Sequence, residues 1–396
     1  MERLNAKQPA KKDFISSWIA AKMKPMKRQI LTFAFCLFVS VTVFGARGAN
    51  SPAVPIAWRQ CLGQRAEFYA GDEAVRIADN VLLYQRDSGG WPKNIDMASV
   101  LSEPDKAKLR IAKNSKDSML DNGATHTQMR YLARVYQATG FERFRGAFLK
   151  GLDYLLEAQY ENGGWPQRYP SPTGYARHIT FNDGAMIGAM SVLRDIADKR
   201  SPFDFVDEQV RRKAEMAVQK GIDCILKCQI VAAGRKTAWC AQHDEKTFVL
   251  SKARSYELPS ISGSESVGIV RFLMSVEKPS PQIVEAVQCA VAWFAEARLK
   301  GIRQVRREDK SKPGGWDIVI VKDASAPAMW ARFYDIGTNT PIFCSRDGIP
   351  KATLAEISHE RRTGYSWLGY YATDLLAEDY PAWQKKWAPD KNVLSN

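Results

Sequence analysis

Carboxylates standing just ahead of apolar helical patterns are where this chain could do chemistry. Asp121 lies in Asp121-Asn122-Gly123-Ala124-Thr125, Asp183 in Asn182-Asp183-Gly184-Ala185-Met186, and Ser264-Glu265 holds the corresponding place further on. Asp and Ser are ordinary helix N-caps, so each alone has a purely structural account. Two aspartates at matched helix starts favour a shared site instead. A carboxylate pair facing one cleft could serve as acid and base on a glycosidic bond, its separation fixing inversion or retention.

Basic and aromatic residues interleave in two further stretches. Residues 237–266 read TAWCAQHDEKTFVLSKARSYELPSISGSES, and residues 317–348 contain WARFYDIGTNTPIFCSRDG. One reading is a solvated loop with aromatic anchors. The other is a sugar-binding cleft, in which aromatic faces stack on pyranose rings and arginines pair bidentately with carboxylates. His178, His243 and His359 are isolated in sequence and read as structural.

An internal repeat supplies the elements that must position these residues. LLYQRDSGGWP at 82–92 and LLEAQYENGGWP at 155–166 align Gln85 with Gln159 and Trp91 with Trp165, an offset of 74 residues. A looser copy, ILKCQ at 225–229 followed by Thr237-Ala238-Trp239, keeps the order. Each copy ends a helical stretch (66–84, 143–159 and 208–229), and Gly-Gly is a natural stop. A second helix follows each loop: Thr125, Met129, Leu132 and Tyr136 share one apolar face, and Ile187, Met190, Leu193 and Ala197 another. Repeated helix pairs with little strand pattern predict an all-α (α/α)3 toroid whose inner helices are parallel. Their N-termini would gather on one rim, bringing Asp121, Asp183 and Ser264-Glu265 together. In that frame Trp91, Trp165 and Trp239 brace helix junctions.

The 396 residues, 45% hydrophobic and 25% charged, exclude disorder and a fibrous repeat. Residues 1–48 carry nine basic and two acidic side chains, leaving +7 of the +14 net charge on the remainder. That mild excess suits an acidic polymer without requiring one. The run ILTFAFCLFVSVTVF at 30–44, preceded by Lys27-Arg28 and followed by small residues, reads as a signal peptide too short to span a membrane. Its n-region is long, so translation starting at Met23 or Met26 fits better. Cleavage after Gly48 leaves one domain at 49–396, exported to the periplasm or beyond. Six cysteines remain (Cys61, Cys224, Cys228, Cys240, Cys289, Cys344), without zinc spacing. They read as buried small residues with at most one bridge.

The strings DNGATHTQMRYLARVY, NGGWPQRYP, ITFNDGAM, WCAQHDEKTF, KARSYELPSISGSESVGIVRFLM and WARFYDIGTNTPIF resemble those of the family-10 pectate lyases, from about Gln85 to Trp367. The resemblance implies a toroid-like catalytic domain that cleaves α-1,4-polygalacturonate by calcium-dependent β-elimination to 4,5-unsaturated oligogalacturonides. It implies a monomer whose partner is that polymer, without nucleic acid or membrane. By the same resemblance Arg254 accepts the C5 proton, and Asp121 and Asp183 hold calcium. Asn122, Arg332 and Arg346 contact substrate, with Lys252 and Tyr334 as weaker additions. His126 stands where a small residue is expected.

Elementary acidity does not select Arg254. A guanidinium loses its proton only above about pH 12, whereas a buried lysine yields one more readily. On that ground alone Lys252 is the better base. Two other classes remain open at this stage: an inverting glycoside hydrolase using Asp121 and Asp183, and a non-catalytic pectin-binding protein.

Overall fold

The computed structural model describes residues 56–395. The signal peptide expected at 1–48 lies outside the described residues. The described residues form ten α-helices in order: α1 (Asp72–Tyr84), α2 (Glu103–Ile111), α3 (His126–Thr139), α4 (Glu142–Glu157), α5 (Ala185–Ala197), α6 (Glu208–Cys228), α7 (Glu265–Met274), α8 (Pro281–Glu296), α9 (His359–Gly364) and α10 (Tyr380–Trp387). Helix α3 packs on α4, α5 on α6 and α7 on α8, while α3, α5 and α7 touch in sequence. Their facing stripes carry the apolar period: Met129 and Leu132 on α3, and Met190 and Leu193 on α5, are fully buried.

The expectation of an all-α fold is wrong. The described residues are mixed, 47% helical and 12% strand. Two causes account for the strand. First, the segments joining each tryptophan to the next helix are buried, and buried backbone groups need partners. They find them in one another. Met119 bridges Arg168, Ile179–Thr180 pairs antiparallel with Gln242–His243, Ile261–Ser262 with Phe333–Tyr334, and Trp330–Ala331 with Leu368–Gly369. Two-residue strands leave no period in a sequence. Second, Ile302–Glu308 and Trp316–Lys322 form a regular antiparallel hairpin, in register from Ile302 opposite Lys322 to Glu308 opposite Trp316. Its β-branched run Ile318-Val319-Ile320-Val321 has strong strand preference, a signal hidden inside what read as a loop.

The repeated glutamines and tryptophans fix where helices stop. Gln85 Nε2 donates to the carbonyls of Gly89 and Ala147, both at 2.8 Å. Gln159 does the same to Gly163 (3.0 Å) and Ala217 (2.8 Å), and Gln229 to Thr237 (2.9 Å) and Ala286 (3.0 Å). Each amide thus ties its own loop to the next outer helix. The indoles of Trp91, Trp165 and Trp239 donate back to Val81, Leu155 and Ile225, all at 2.8 Å. Trp330, which donates to Phe294 at 2.9 Å, adds a fourth copy that the hairpin insertion conceals in sequence. The six cysteines at 61–344 are all unbridged, and only Cys289 is not fully buried.

If these amides hold the repeats together, Gln229→Met should cost about 2 kcal/mol or more, because two buried carbonyls lose their donor while the volume is kept. Urea denaturation of the variant against the parent measures it, and an unchanged midpoint would show that the amide braces nothing.

Candidate active site

Two left-handed turns lead into α3 and α5 and set the acids. Asn122 and Gly123 have φ of 53° and 79°, and Asp183 and Gly184 have 49° and 72°. The structure thereby corrects one reading of the sequence: Asp183 corresponds to Asn122, not to Asp121. Asp121 instead corresponds to Asn182, and both are buried, at 1% and 4% exposure. The backbone N–H of Asn122 donates to the Asp183 carbonyl at 3.2 Å, locking the two turns together.

Neither aspartate caps a helix. Asp121 Oδ2 accepts from Lys93 Nζ at 2.5 Å and Gln167 Nε2 at 2.8 Å, while its Oδ1 is buried without a hydrogen-bond partner. Burial pushes this carboxyl above the usual aspartate range; Lys93 opposes the rise and the nearby charge of Asp183 adds to it. Asp183, about a quarter exposed, accepts from Asn182 Nδ2 at 3.1 Å and from Arg332 at 3.3 Å.

Arg332 ties the second and third turns. Its Nη2 donates to Asn182 Oδ1 at 3.2 Å, to Asp183 and to Glu265, and the Arg332 and Glu265 side chains are each 4% exposed. Burial works against the cation, but the charges of Glu265 and Asp183 outweigh it and hold the guanidinium firmly protonated. The Arg332 guanidinium also lies 4.9 Å from the centre of the Tyr365 ring, and that of Arg254 lies 5.5 Å from it. Arg254 in turn donates from Nε to Glu257 Oε2 at 2.7 Å and from Nη2 to Glu257 Oε1. The Tyr365 hydroxyl completes Glu257 at 2.8 Å. Against the effect of burial, this pairing raises the Arg254 pKa further above its ordinary value.

The remaining expected residues separate. Lys252 is exposed two residues from Arg254. Arg346 is 63% exposed, pairs with Glu360, and approaches the Tyr256 ring at 5.7 Å. Tyr334 belongs to the core: it has no exposed surface, and its hydroxyl accepts from Ala331 N and donates to the Ala297 carbonyl. Sequence reading missed Lys93, Gln167 and Glu257. The repeat held the signal for the first two, since Lys93, Gln167 and Arg332 each stand two residues after a bracing tryptophan. Elsewhere, His178, Asp244 and Glu245 bring their polar atoms within 4.8 Å of one another. Glu245 there is already engaged by Arg177 and His178, and Asp244 by the backbone of Lys246 and Thr247.

A rim of carboxylates and guanidiniums set on helix starts, backed by aromatic rings, marks an enzyme that handles an acidic polymer. A family model described as pectic acid lyase matches residues 85–376. A mutant of a family 10 polysaccharide lyase from Cellvibrio cellulosa, in complex with trigalaturonic acid, is 38% identical over 84% of this chain and 97% of its own, with a TM-score of 0.70. A second structure of a family 10 polysaccharide lyase from Cellvibrio cellulosa is also 38% identical, covering 82% and 96%, with a TM-score of 0.67. No curated protein matches the chain. The chain belongs to the pectic acid lyase family, polysaccharide lyase family 10, and is a polysaccharide lyase acting on pectate.

Glu265→Gln should destabilise the protein by on the order of 3 kcal/mol, because it strips a buried arginine of its nearest anion. The shift of the urea midpoint measures this, and a variant as stable as the parent would mean that Asp183 alone balances Arg332.

Proposed function

We propose that this chain depolymerises polygalacturonate by calcium-dependent β-elimination, acting as a monomer outside the cytoplasm. The observation that carries the metal reading is Asp121 Oδ1, a buried acceptor with nothing to accept from, next to the partly exposed carboxylate of Asp183. An oxygen-only donor set of this kind suits a hard divalent cation such as calcium. Calcium held by Asp121 and Asp183 together with a uronate would neutralise the second negative charge that develops on the uronate. Export is supported by the apolar run at 30–44. No described helix is long and apolar enough to cross a membrane.

The elimination removes the C5 proton, forms the C4–C5 double bond and breaks the C4–O4 bond; the departing chain end takes up a proton as its hydroxyl. Arg254 is our proposed acceptor of the C5 proton, on the strength of the Lys252-Ala253-Arg254 motif. Asn122 and Arg346 offer polar groups to the substrate. Arg332 lies deeper and acts by fixing Asp183 and Glu265. A second reading has a specific observation behind it: Glu257 holds Arg254 as a guanidinium, whereas Lys252 is exposed and has no carboxylate partner among the described residues. In that reading Lys252 takes the proton and Arg254 steadies the transition state.

Incubation with polygalacturonate should raise ultraviolet absorbance as 4,5-unsaturated ends form. Excess chelator should abolish the rise and calcium restore it, while circular dichroism stays unchanged. Reducing ends released without absorbance would replace elimination by hydrolysis, and full activity in chelator would remove the metal from the scheme.

Single variants separate the two bases. With Arg254 as acceptor, Arg254→Lys loses nearly all turnover but still binds oligogalacturonate, because an acceptor contributes mainly in the transition state. Substantial turnover in Arg254→Lys beside a dead Lys252→Ala would transfer the role to Lys252.

A further inference from the structure

The hairpin Ile302–Glu308/Trp316–Lys322 pairs with no other strand among the described residues, and most of its residues are half-buried or exposed. Residues 298–322 hold eight basic and three acidic side chains, five of the seven net positive charges on residues 49–396. Arg303 is matched by Asp323 at 2.7 Å. Arg306, Arg307, Lys310, Lys312 and Lys322 have no carboxylate partner among the described residues. Uncompensated cations gathered on a projecting hairpin repel one another and gain from a polyanion that lies across them.

The hairpin is also joined to the candidate active site. Asp317 takes a buried bidentate pair from Arg362 of α9, at 2.8 and 2.6 Å, and His359 Nε2 donates to the Trp316 carbonyl at 2.8 Å. The intervening α9 residues Glu360 and Arg361 reach the other way. Glu360 pairs with Arg346, and Arg361 approaches the Tyr256 ring at 4.6 Å, on which Arg254 lies at 4.9 Å. At the far end Arg306 lies 4.0 Å from the centre of the Trp316 ring. Arg254 and Arg361 thus share the Tyr256 ring at one end and Arg306 takes the Trp316 ring at the other, with the short helix α9 fixed to both. Stacked guanidiniums keep their in-plane donors free for carboxylates.

We propose that this hairpin is a second anchor for polyuronate, binding carboxylates of the same chain several residues from the bond being cleaved. The inference rests on the proposed substrate. It concerns polymer capture rather than chemistry, and Arg306 and Arg307 take no part in the reaction. An edge-guarding role for the cations, which keeps bare strand edges from pairing with other molecules, would leave polymer affinity untouched.

The test compares full-length parent protein with Arg306→Gln/Arg307→Gln and, as a second variant sparing the Trp316 stack, Lys310→Gln/Lys312→Gln. The expected result is a KM for long polygalacturonate raised roughly fivefold or more in the first variant, with kcat/KM on trigalacturonate unchanged. Retardation in polygalacturonate-loaded gels should fall for both variants, and the parent's polymer KM should climb more steeply with salt than theirs. Equal KM and equal retardation in parent and variants, with or without aggregation, would overturn the proposal while leaving elimination standing. Lost retardation on gels loaded with DNA but not with polygalacturonate would overturn it in favour of nucleic acid. If the parent forms no unsaturated product yet the variants still lose retention on polygalacturonate, the anchor stands and the lyase chemistry falls.

Discussion

A glutamine side chain that donates to two carbonyls at once is the constraint from which the rest of this architecture follows. In each of three copies the amide holds one carbonyl of its own Gly-containing loop and one of the next outer helix. The loop cannot shift without stranding a buried acceptor, which costs about 1–3 kcal/mol. The indole that follows is locked to the helix just ended. Two residues beyond Trp91 and Trp165 the backbone presents Lys93 and Gln167, and two beyond the fourth tryptophan, Trp330, it presents Arg332; the same place after Trp239 is Ala241. In three of the four copies scaffold and site are therefore specified by one repeat: the tryptophan sets the packing, and the residue two positions beyond it reaches the site.

Charge is balanced locally across this rim. Lys93 and Gln167 serve Asp121; Arg332 serves Asp183 and Glu265; Arg254 and the Tyr365 hydroxyl serve Glu257. Burying such ions is costly unless each meets a partner in good geometry, and the tightest pairs are the most buried. The exposed pair of Arg346 with Glu360 is of the kind worth about 0–1 kcal/mol, so it yields to an incoming carboxylate at little expense. Asp121 Oδ1 is the one carboxylate oxygen left over, a buried acceptor with no hydrogen-bond partner among the described residues.

How much of this was legible in the sequence depended on whether a feature has a period. Helices α4 and α6 fall within two residues of their expected bounds because 3.6-residue stripes, and for α4 a Gly-Gly-Trp stop, are local signals. The acids at helix starts were legible for the same reason. Their register was legible too but easily misread: the shared Gly-Ala sets Asn122 against Asp183 and Asp121 against Asn182, and the positive φ at Asn122 and Asp183 agrees. Two-residue strands have no period to read. The fourth tryptophan, Trp330, was hidden because the hairpin stands between it and the helix it braces. Tyr334 lies two residues from Arg332 in an aromatic-rich string, and nothing in that string shows that its hydroxyl is taken up in the core by the backbone of Ala331 and Ala297.

The partner of Arg254 bears most directly on mechanism. Two hydrogen bonds from Arg254 to Glu257 raise its proton affinity, the opposite of what a base requires. The same pairing fixes the plane of the guanidinium. Nε and one terminal nitrogen are committed to the carboxylate, and Tyr256 and Tyr365 lie against its faces. Both N–H groups of Nη1 and the second N–H of Nη2 are left without a protein acceptor among its hydrogen bonds. Whatever Arg254 does to substrate it therefore does through its terminal nitrogens, held in a fixed orientation. A group held this rigidly donates to a developing negative charge with no reorganisation, and it can accept a proton only if Glu257 is first drawn away or protonated. The choice between Arg254 and Lys252 as base thus turns on whether Glu257 keeps its hold when a uronate arrives, because a carboxylate cannot both pin a guanidinium and let it act as a base.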